Sequence, residues 1–165
     1  KADPRKGFDD LVDVARALPD ISFQVLCWGS HPCSVPLYEL ANVEVIPCDR
    51  DSGDTTLDNE DRLKQAFARA RIFFFPSRAE TYGMVLVEAM ASGCAIVSTV
   101  ELDYAGISVR PHDIDAMVDA IRALWHDREQ AAALGRDNVE RARGITWEHY
   151  AETLQSEYRQ LVGQS

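Results

Sequence analysis

The chain has 165 residues, and its 17 lysines and arginines against 27 aspartates and glutamates give a formal net charge of −10. With 46% hydrophobic and 27% charged residues, it has the composition of one folded domain rather than of a disordered segment. No apolar run approaches the ~20 residues that cross a bilayer. The acidic balance argues against a nucleic-acid partner, but one helix N-terminus and one lysine can still hold a small phosphate-bearing ligand.

The four cysteines, Cys27, Cys33, Cys48 and Cys94, form no C-x-x-C pair. Cys27 and Cys94 lie in or beside apolar runs and are expected to be small core residues. His31 and Cys33 are close in sequence, but a zinc site needs two further ligands at usable spacing. We therefore expect no metal and no cofactor, and we expect reduced thiols in a cytoplasmic protein.

Two hydrophobic patterns alternate along the chain. Helical periodicity predicts helices over residues 8–18, 59–70, 83–92, 113–126, 128–143 and 146–162. Short continuous apolar runs predict buried strands at residues 23–28, 43–46, 72–75 and 95–98. The polar stretch over residues 48–57 predicts a loop. Such strands between amphipathic helices indicate a parallel sheet covered on both faces. The predicted fold class is α/β: a Rossmann-like, doubly wound parallel sheet with C-terminal helices, in a single domain.

The most informative segment is the turn over residues 76–83, which follows the most apolar strand and opens a helix. Ligands of open parallel sheets bind beyond the carboxyl ends of the strands, where the first N–H groups of a helix are unpaired. Gly83 would let a phosphate approach the backbone closely.

The helix over residues 83–92 has one ionisable residue, Glu88, so we expect it to be buried all round and its carboxylate to be paired. Ligand hydroxyls or a structural arginine could supply the donors for Glu88. Glu80 could likewise be a ligand contact or an ordinary acid that favours the helix dipole.

Residues 80–93 read ETYGMVLVEAMASG. This block resembles the E-x-[F/Y]-G-x-x-x-x-E-A-M-A-x-G signature of retaining nucleotide-sugar glycosyltransferases of the group 1 type, which have two Rossmann-like domains (the GT-B fold). The resemblance extends over nearly the whole chain. Residues 6–8 are similar to the lysine–glycine opening of a family helix, and residues 70–77 to its A-D-x-x-x-x-P-S strand, with Arg71 in place of the usual aspartate.

The resemblance implies a role for each matching position. Glu80 would contact hydroxyls of the donor sugar, and Glu88 would accept hydrogen bonds from the ribose of the nucleotide. The backbone N–H groups after Tyr82 would hold the distal phosphate, and Lys6 would neutralise the diphosphate, so that no metal is needed. Glu80 and Lys6 are the predicted catalytic residues. The predicted substrate-binding residues are Arg5, Lys6, Glu80, Thr81, Tyr82, Gly83, Met84, Val85 and Glu88.

The sequence departs from the family pattern in two places. The family usually has an arginine a few residues before the lysine, whereas Arg5 is adjacent to Lys6. The loop over residues 99–107 is shorter by several residues than its family counterpart, which usually contacts the donor sugar.

We expect residues 1–165 to be the C-terminal, donor-binding domain of a longer enzyme that uses a nucleoside-diphosphate sugar and a saccharide or lipid-linked acceptor. Its acceptor-binding N-terminal domain would lie outside this chain, and the helix over residues 146–162 would pack on it. The full-length protein could also associate peripherally with a membrane. A non-catalytic nucleotide or sugar-phosphate binding module is the alternative; the two departures above favour it, whereas the intact block over residues 80–93 argues against it. A phosphosugar epimerase would need catalytic histidine and aspartate at other places.

Overall fold

The computed structural model describes residues 4–28, 35–48 and 56–162. A 3₁₀ turn (Pro4–Lys6) precedes the first helix. The helices are α1 (Phe8–Ala17), α2 (Val35–Tyr38), α3 (Thr56–Arg69), α4 (Met84–Ala91), α5 (Ile114–His126), α6 (Arg128–Arg143) and α7 (Trp147–Val162). The strands are β1 (Phe23–Trp28), β2 (Val43–Cys48), β3 (Ile72–Phe75), β4 (Ala95–Ser98) and β5 (Gly106–Ser108). His31, Cys33 and residues 49–55 of the predicted loop lie outside the described residues.

Strands β1, β3 and β4 have the predicted bounds, and every predicted helix is present. Helix α2 and strand β5 were not predicted, and α3 begins three residues earlier than predicted. No helix in the described part of the chain is both long and apolar enough to cross a membrane. Cys27 and Cys94 are buried core residues, as predicted, and burial raises the pKa of the Cys94 thiol to about 11.

All strand pairs that the structure describes are parallel, which confirms the α/β class. The strands form two sheets rather than one, however. One has two strands in the order β2-β1, and the other has three in the order β3-β4-β5. Within the described residues, β1 and β3 are therefore each an edge strand.

Helix α1 holds the two sheets together. Val14 and Leu18 are fully buried in a core cluster that includes β4, α5 and part of α6. Val12, on another side of the same helix, packs with Val25 of β1 and Leu37 of α2 in a separate cluster. Because one helix contributes to both cores, the sheets belong to one domain although no strands pair between them.

The opposite face of the three-stranded sheet packs against α3, α4 and α6, with Leu86, Ala89 and Met90 of α4 buried there. Gly135 of α6 lies against Gly93, which is two residues beyond the end of α4. A Cβ atom on Gly135 would lie 2.1 Å from the Gly93 carbonyl oxygen. This position therefore requires glycine if α6 is to pack so closely.

Asn138 of α6 is completely buried and joins three backbone groups. Its Nδ2 donates to the carbonyl oxygens of Cys94 and Ala105, at 2.8 Å each, and its Oδ1 accepts from the Ala105 N–H at 2.6 Å. These bonds fasten the segment before β5 to the start of β4. The Asn138 side chain thus provides hydrogen-bond partners for backbone groups that would be costly to bury without one.

We predict that Asn138→Ala lowers the free energy of unfolding by about 2–4 kcal/mol, because it leaves three buried backbone groups without a partner. Urea unfolding followed by circular dichroism measures this. The control is Arg136→Ala, an exposed substitution on the same helix, which should change stability little. Equal stability of the two variants would contradict the role given to Asn138.

Candidate functional site

The chain enters α1 directly over the carboxyl end of β3. The Arg5 carbonyl oxygen accepts from the Arg78 N–H at 2.6 Å and lies 3.2 Å from the Ser77 hydroxyl oxygen. Gly7 has a φ of +64°, and a Cβ atom there would lie 2.0 Å from the Pro76 carbonyl oxygen. A residue with a side chain would therefore displace the 3₁₀ turn from the end of β3.

This close approach brings together two of the predicted site residues. The Lys6 Nζ donates to the Glu80 Oε1 at 2.5 Å, and the buried Ser77 hydroxyl donates to the same oxygen at 2.8 Å. The Glu80 side chain is 14% exposed and that of Lys6 is 47% exposed. Glu80 is thus held by a fixed donor on the protein side, while the lysine that pairs with it remains accessible from solvent.

The N-terminus of α4 lies just beyond this pair. Gly83 is its N-cap with a φ of +61°, and no side chain of the described residues caps the helix there. The first N–H groups of any helix lack intrahelical partners, and here they follow the turn that holds Glu80. Tyr82 is 68% exposed, Met84 is 52% exposed, and Leu102 is in close contact with Gly83. This N-terminus can receive an anion, and accessible apolar side chains surround it.

The expectation for Glu88 and its helix was wrong in one respect. Helix α4 is not buried all round, because Met84, Glu88 and Ala91 lie on an exposed side. Within the described part of the chain, the Glu88 carboxylate has neither a hydrogen bond nor an ion pair, so a structural arginine does not supply its donors. Partial burial nevertheless raises the pKa of the Glu88 carboxyl above its ordinary value.

The remaining predicted residues lie in the same region. Thr81 and Tyr82 are exposed in the turn between Glu80 and α4, and Val85 is half-buried in the first turn of the helix. Glu88 is four residues after Met84, about one helical turn or 6 Å further along the axis. Arg5 contributes its carbonyl oxygen to the contact with β3 described above. The loop over residues 76–83, α4 and the 3₁₀ turn therefore bring the predicted residues together.

A cluster of charged residues centred on Arg78 was not predicted from the sequence. Its Nη2 lies 2.6 Å from both carboxylate oxygens of Asp9 and 3.2 Å from the buried Asp10. His112 Nδ1 lies 3.1 Å from Asp10, and the His112 N–H donates to the same carboxylate at 3.3 Å. Although the acids and the imidazole could ligate a metal ion, the guanidinium already supplies their positive charge. The cluster connects the loop over residues 76–83 to α1 and to the turn before α5.

These elements define a Rossmann-like domain with a candidate anion site at the carboxyl end of a parallel sheet. A family model, described as "Glycosyl transferases group 1", matches residues 1–127, and the chain belongs to this family.

The chain also resembles individual proteins. The chain is 36% identical over 106 residues to D-inositol 3-phosphate glycosyltransferase of Nocardia farcinica. This alignment covers 59% of this chain and 24% of the Nocardia protein. Sucrose-phosphate synthase of Thermosynechococcus elongatus matches with a TM-score of 0.74 at 26% identity, over 99% of this chain and 44% of the synthase. HepE of Anabaena, solved in complex with UDP and glucose, matches with a TM-score of 0.68 at 20% identity, over 94% of this chain and 46% of HepE. The last likeness shows the fold alone. The chain therefore spans about a quarter of the length of the Nocardia relative and less than half of either structure.

We predict that Glu88→Gln leaves stability at pH 7 unchanged or slightly raised. A carboxyl whose pKa is raised on folding favours the folded state while it is protonated, and that contribution is lost as the pH rises through the raised pKa. The charged carboxylate therefore costs stability at pH 7, and the amide removes this cost. Thermal unfolding at several pH values checks this, and the difference from the unsubstituted chain should shrink below about pH 4.

The control for this measurement is Glu157→Gln, at an exposed position on α7. A large loss of stability specific to Glu88→Gln at pH 7 would show that the carboxylate has a structural partner after all.

Proposed function

We propose that the chain is the C-terminal, donor-binding domain of a retaining glycosyltransferase that moves a sugar from a nucleoside diphosphate to an acceptor hydroxyl. The observation that carries this proposal is the Lys6–Glu80 pair beside the N-terminus of α4. A cation and a row of N–H groups suit a diphosphate, and a carboxylate next to them suits sugar hydroxyls.

The phosphate end of the site combines two sources of positive potential. Lys6 is a mobile point charge on an accessible side chain, and the helix N-terminus provides fixed N–H dipoles. When the bond between sugar and diphosphate breaks, negative charge grows on the leaving phosphate. Lys6 and the N–H groups from Gly83 onward would stabilise that charge without a metal ion.

The sugar end of the site is Glu80. Its Oε1 accepts from both Lys6 and Ser77. When a diphosphate draws Lys6 away, Ser77 still holds the carboxylate in place, and hydroxyls of the donor sugar take the position of the lysine. Glu80 thus orients the sugar relative to the phosphate that leaves.

Glu88 is assigned to the ribose. It is an exposed carboxylate with a raised pKa on the same side of α4 as Met84, and no partner for it is found among the described residues. Two neighbouring hydroxyls of a ribose would supply the missing donors as charge-assisted hydrogen bonds.

The similar proteins support a nucleoside-diphosphate sugar as donor, since HepE was solved with UDP and glucose and the Nocardia relative is named as a glycosyltransferase. The acceptor, a saccharide or a lipid-linked hydroxyl, would bind to an N-terminal domain outside this chain. The exposed Tyr158 and Val162 of α7 give that domain an apolar surface to pack on.

We predict that Glu88→Gln weakens binding of a nucleoside diphosphate by about 1–3 kcal/mol, the range for charge-assisted hydrogen bonds. Lys6→Ala should weaken it as well, because it removes the counter-charge of the phosphates. Calorimetry with uridine, guanosine and adenosine diphosphates and their sugars, in the presence of EDTA, measures this. The matched controls are Glu157→Gln and Lys64→Ala, both at exposed positions. The absence of binding to every nucleotide would overturn the proposed function.

We predict that the 165-residue chain alone transfers no sugar, although it binds the donor. Transfer needs an acceptor hydroxyl held against the donor and a site closed to water, and the proposal gives both tasks to another domain. An assay with radiolabelled donors and panels of saccharide and lipid acceptors should show at most slow donor hydrolysis. Turnover of about 1 per second or faster would contradict the proposal that another domain binds the acceptor and closes the site.

A further inference from the structure

The segment that carries Glu80 has no apolar anchor of its own. Ser77 and Gly83 at its two ends are buried, whereas none of residues 78–82, all of which the structure describes, is buried. Segments with few buried apolar contacts are the least stable parts of a fold. Hydrogen bonds and ion pairs, rather than apolar packing, must therefore hold Glu80 in place.

The contacts of Glu80 itself are not sufficient for this in the proposed function. Its carboxylate is bonded to Lys6 and to Ser77, and a bound diphosphate would draw Lys6 away. Ser77 belongs to the same loop as Glu80, so its bond does not fix the loop relative to the start of α1. Another link is needed between this loop and the segment that carries Lys6.

Arg78 provides this link at two points. Its backbone N–H donates to the carbonyl oxygen of Arg5, just before Lys6, at 2.6 Å. Its guanidinium Nη2 donates to both carboxylate oxygens of Asp9 at 2.6 Å and to the Asp10 carboxylate at 3.2 Å, just after Lys6. A single hydrogen bond would let the loop rotate about it, whereas bonds on both sides of Lys6 fix the orientation of the loop.

The Asp10 carboxylate that receives Arg78 is part of a buried cluster. Asp10 is 3% exposed, and its other oxygen accepts from the His112 N–H at 3.3 Å. His112 has a φ of +65°, a conformation that is costly for a residue with a side chain, and the bond to Asp10 is made in this conformation. A buried carboxylate needs its donors, so the contact with Arg78 contributes more than an exposed ion pair does.

We propose that Arg78 is a positioning residue of the donor site, which keeps Glu80 in place for the sugar when Lys6 turns to the diphosphate. This inference rests on the proposed function and adds a residue to it. The phosphate end of the site has separate anchors, because α4 is held by the buried Leu86, Ala89 and Met90. Loss of Arg78 would therefore displace Glu80 while the N-terminus of α4 stays where it is.

The test compares Arg78→Gln with Arg78→Lys in the 165-residue chain. All the carboxylate contacts described above come from one nitrogen, Nη2, so the single ammonium nitrogen of a lysine can replace most of them. Glutamine keeps much of the length of the side chain but removes the charge. The matched control is Arg143→Gln, which removes an exposed arginine that pairs with Glu140 on α6.

The first measurement is calorimetry with UDP, GDP and ADP and with the glucose conjugate of each. In Arg78→Gln the affinity for the sugar nucleotide should fall at least about tenfold, as expected for the loss of a charge-assisted hydrogen bond to Glu80. The affinity for the bare diphosphate should fall less than about threefold, since only a screened charge is lost. Arg78→Lys should restore most of the difference, and Arg143→Gln should change neither affinity.

The second measurement needs no ligand. Backbone ¹⁵N relaxation should give order parameters near about 0.85 for the amides of residues 79–82 in the unsubstituted chain and below about 0.6 in Arg78→Gln. Arg78→Lys should keep them high, and the amides of α4 should not change in either variant. If Arg78→Gln does not fold, Asp9→Asn takes its place, because Asp9 is exposed and its loss removes one of the two partners of Nη2.

Two results would overturn the role given to Arg78. Equal losses for the diphosphate and its sugar conjugate would mean that Arg78 acts only through its charge. Unchanged order of residues 79–82 in Arg78→Gln would mean that other contacts hold the loop. A failure of the unsubstituted chain to bind any of the nucleotides would instead overturn the proposed function, and the relaxation data would still decide whether Arg78 positions the loop.

Discussion

The contact between Gly7 and Pro76 determines the geometry of the candidate site. No Cβ atom fits between them, and this closeness places the Arg5 carbonyl where it accepts from the Arg78 N–H. Lys6 directly follows Arg5, so the same contact places the Lys6 side chain beside Glu80. A residue with a side chain at position 7 would therefore do more than strain a turn, because it would separate the two charged residues on which the proposed donor site depends.

Much of the fold was predictable because its central elements have strong local patterns. The run Ile72–Phe75 and the run Ala95–Ser98 are uninterrupted apolar segments between turn residues, and both are strands with those bounds. Helix α2 has four residues and β5 has three, too short for any hydrophobic period to be visible. That the strands form two sheets could not be read from periodicity either, since a strand has the same pattern whether its neighbour is present or not.

The residues of the site could be predicted from the sequence, but the contacts between them could not. The signature block identified the loop and helix, whereas nothing in the sequence links Arg78 to Asp9 and Asp10, about 70 residues earlier, in one cluster. The exposure of Glu88 could not be predicted, because an apolar composition does not show which sides of a helix are covered. Met84 on the exposed side is accompanied by the exposed Tyr82 and by Leu102, which lies beside Gly83. Grouped exposed apolar side chains are more typical of a binding surface than of a solvated helix end.

The Lys6–Glu80 pair also bears on which ligands the proposed site would prefer. A bare diphosphate that draws Lys6 away leaves Glu80 a negative charge close to an anion, with Ser77 as its remaining donor. The two negative charges then repel each other, which offsets part of the attraction to the lysine and to the helix N-terminus. A sugar attached to the diphosphate removes this conflict, because its hydroxyls replace the lysine as donors to Glu80. If the proposed function holds, this arrangement would favour the complete sugar nucleotide over the nucleotide alone, because only the sugar supplies hydroxyl donors to Glu80 in place of Lys6.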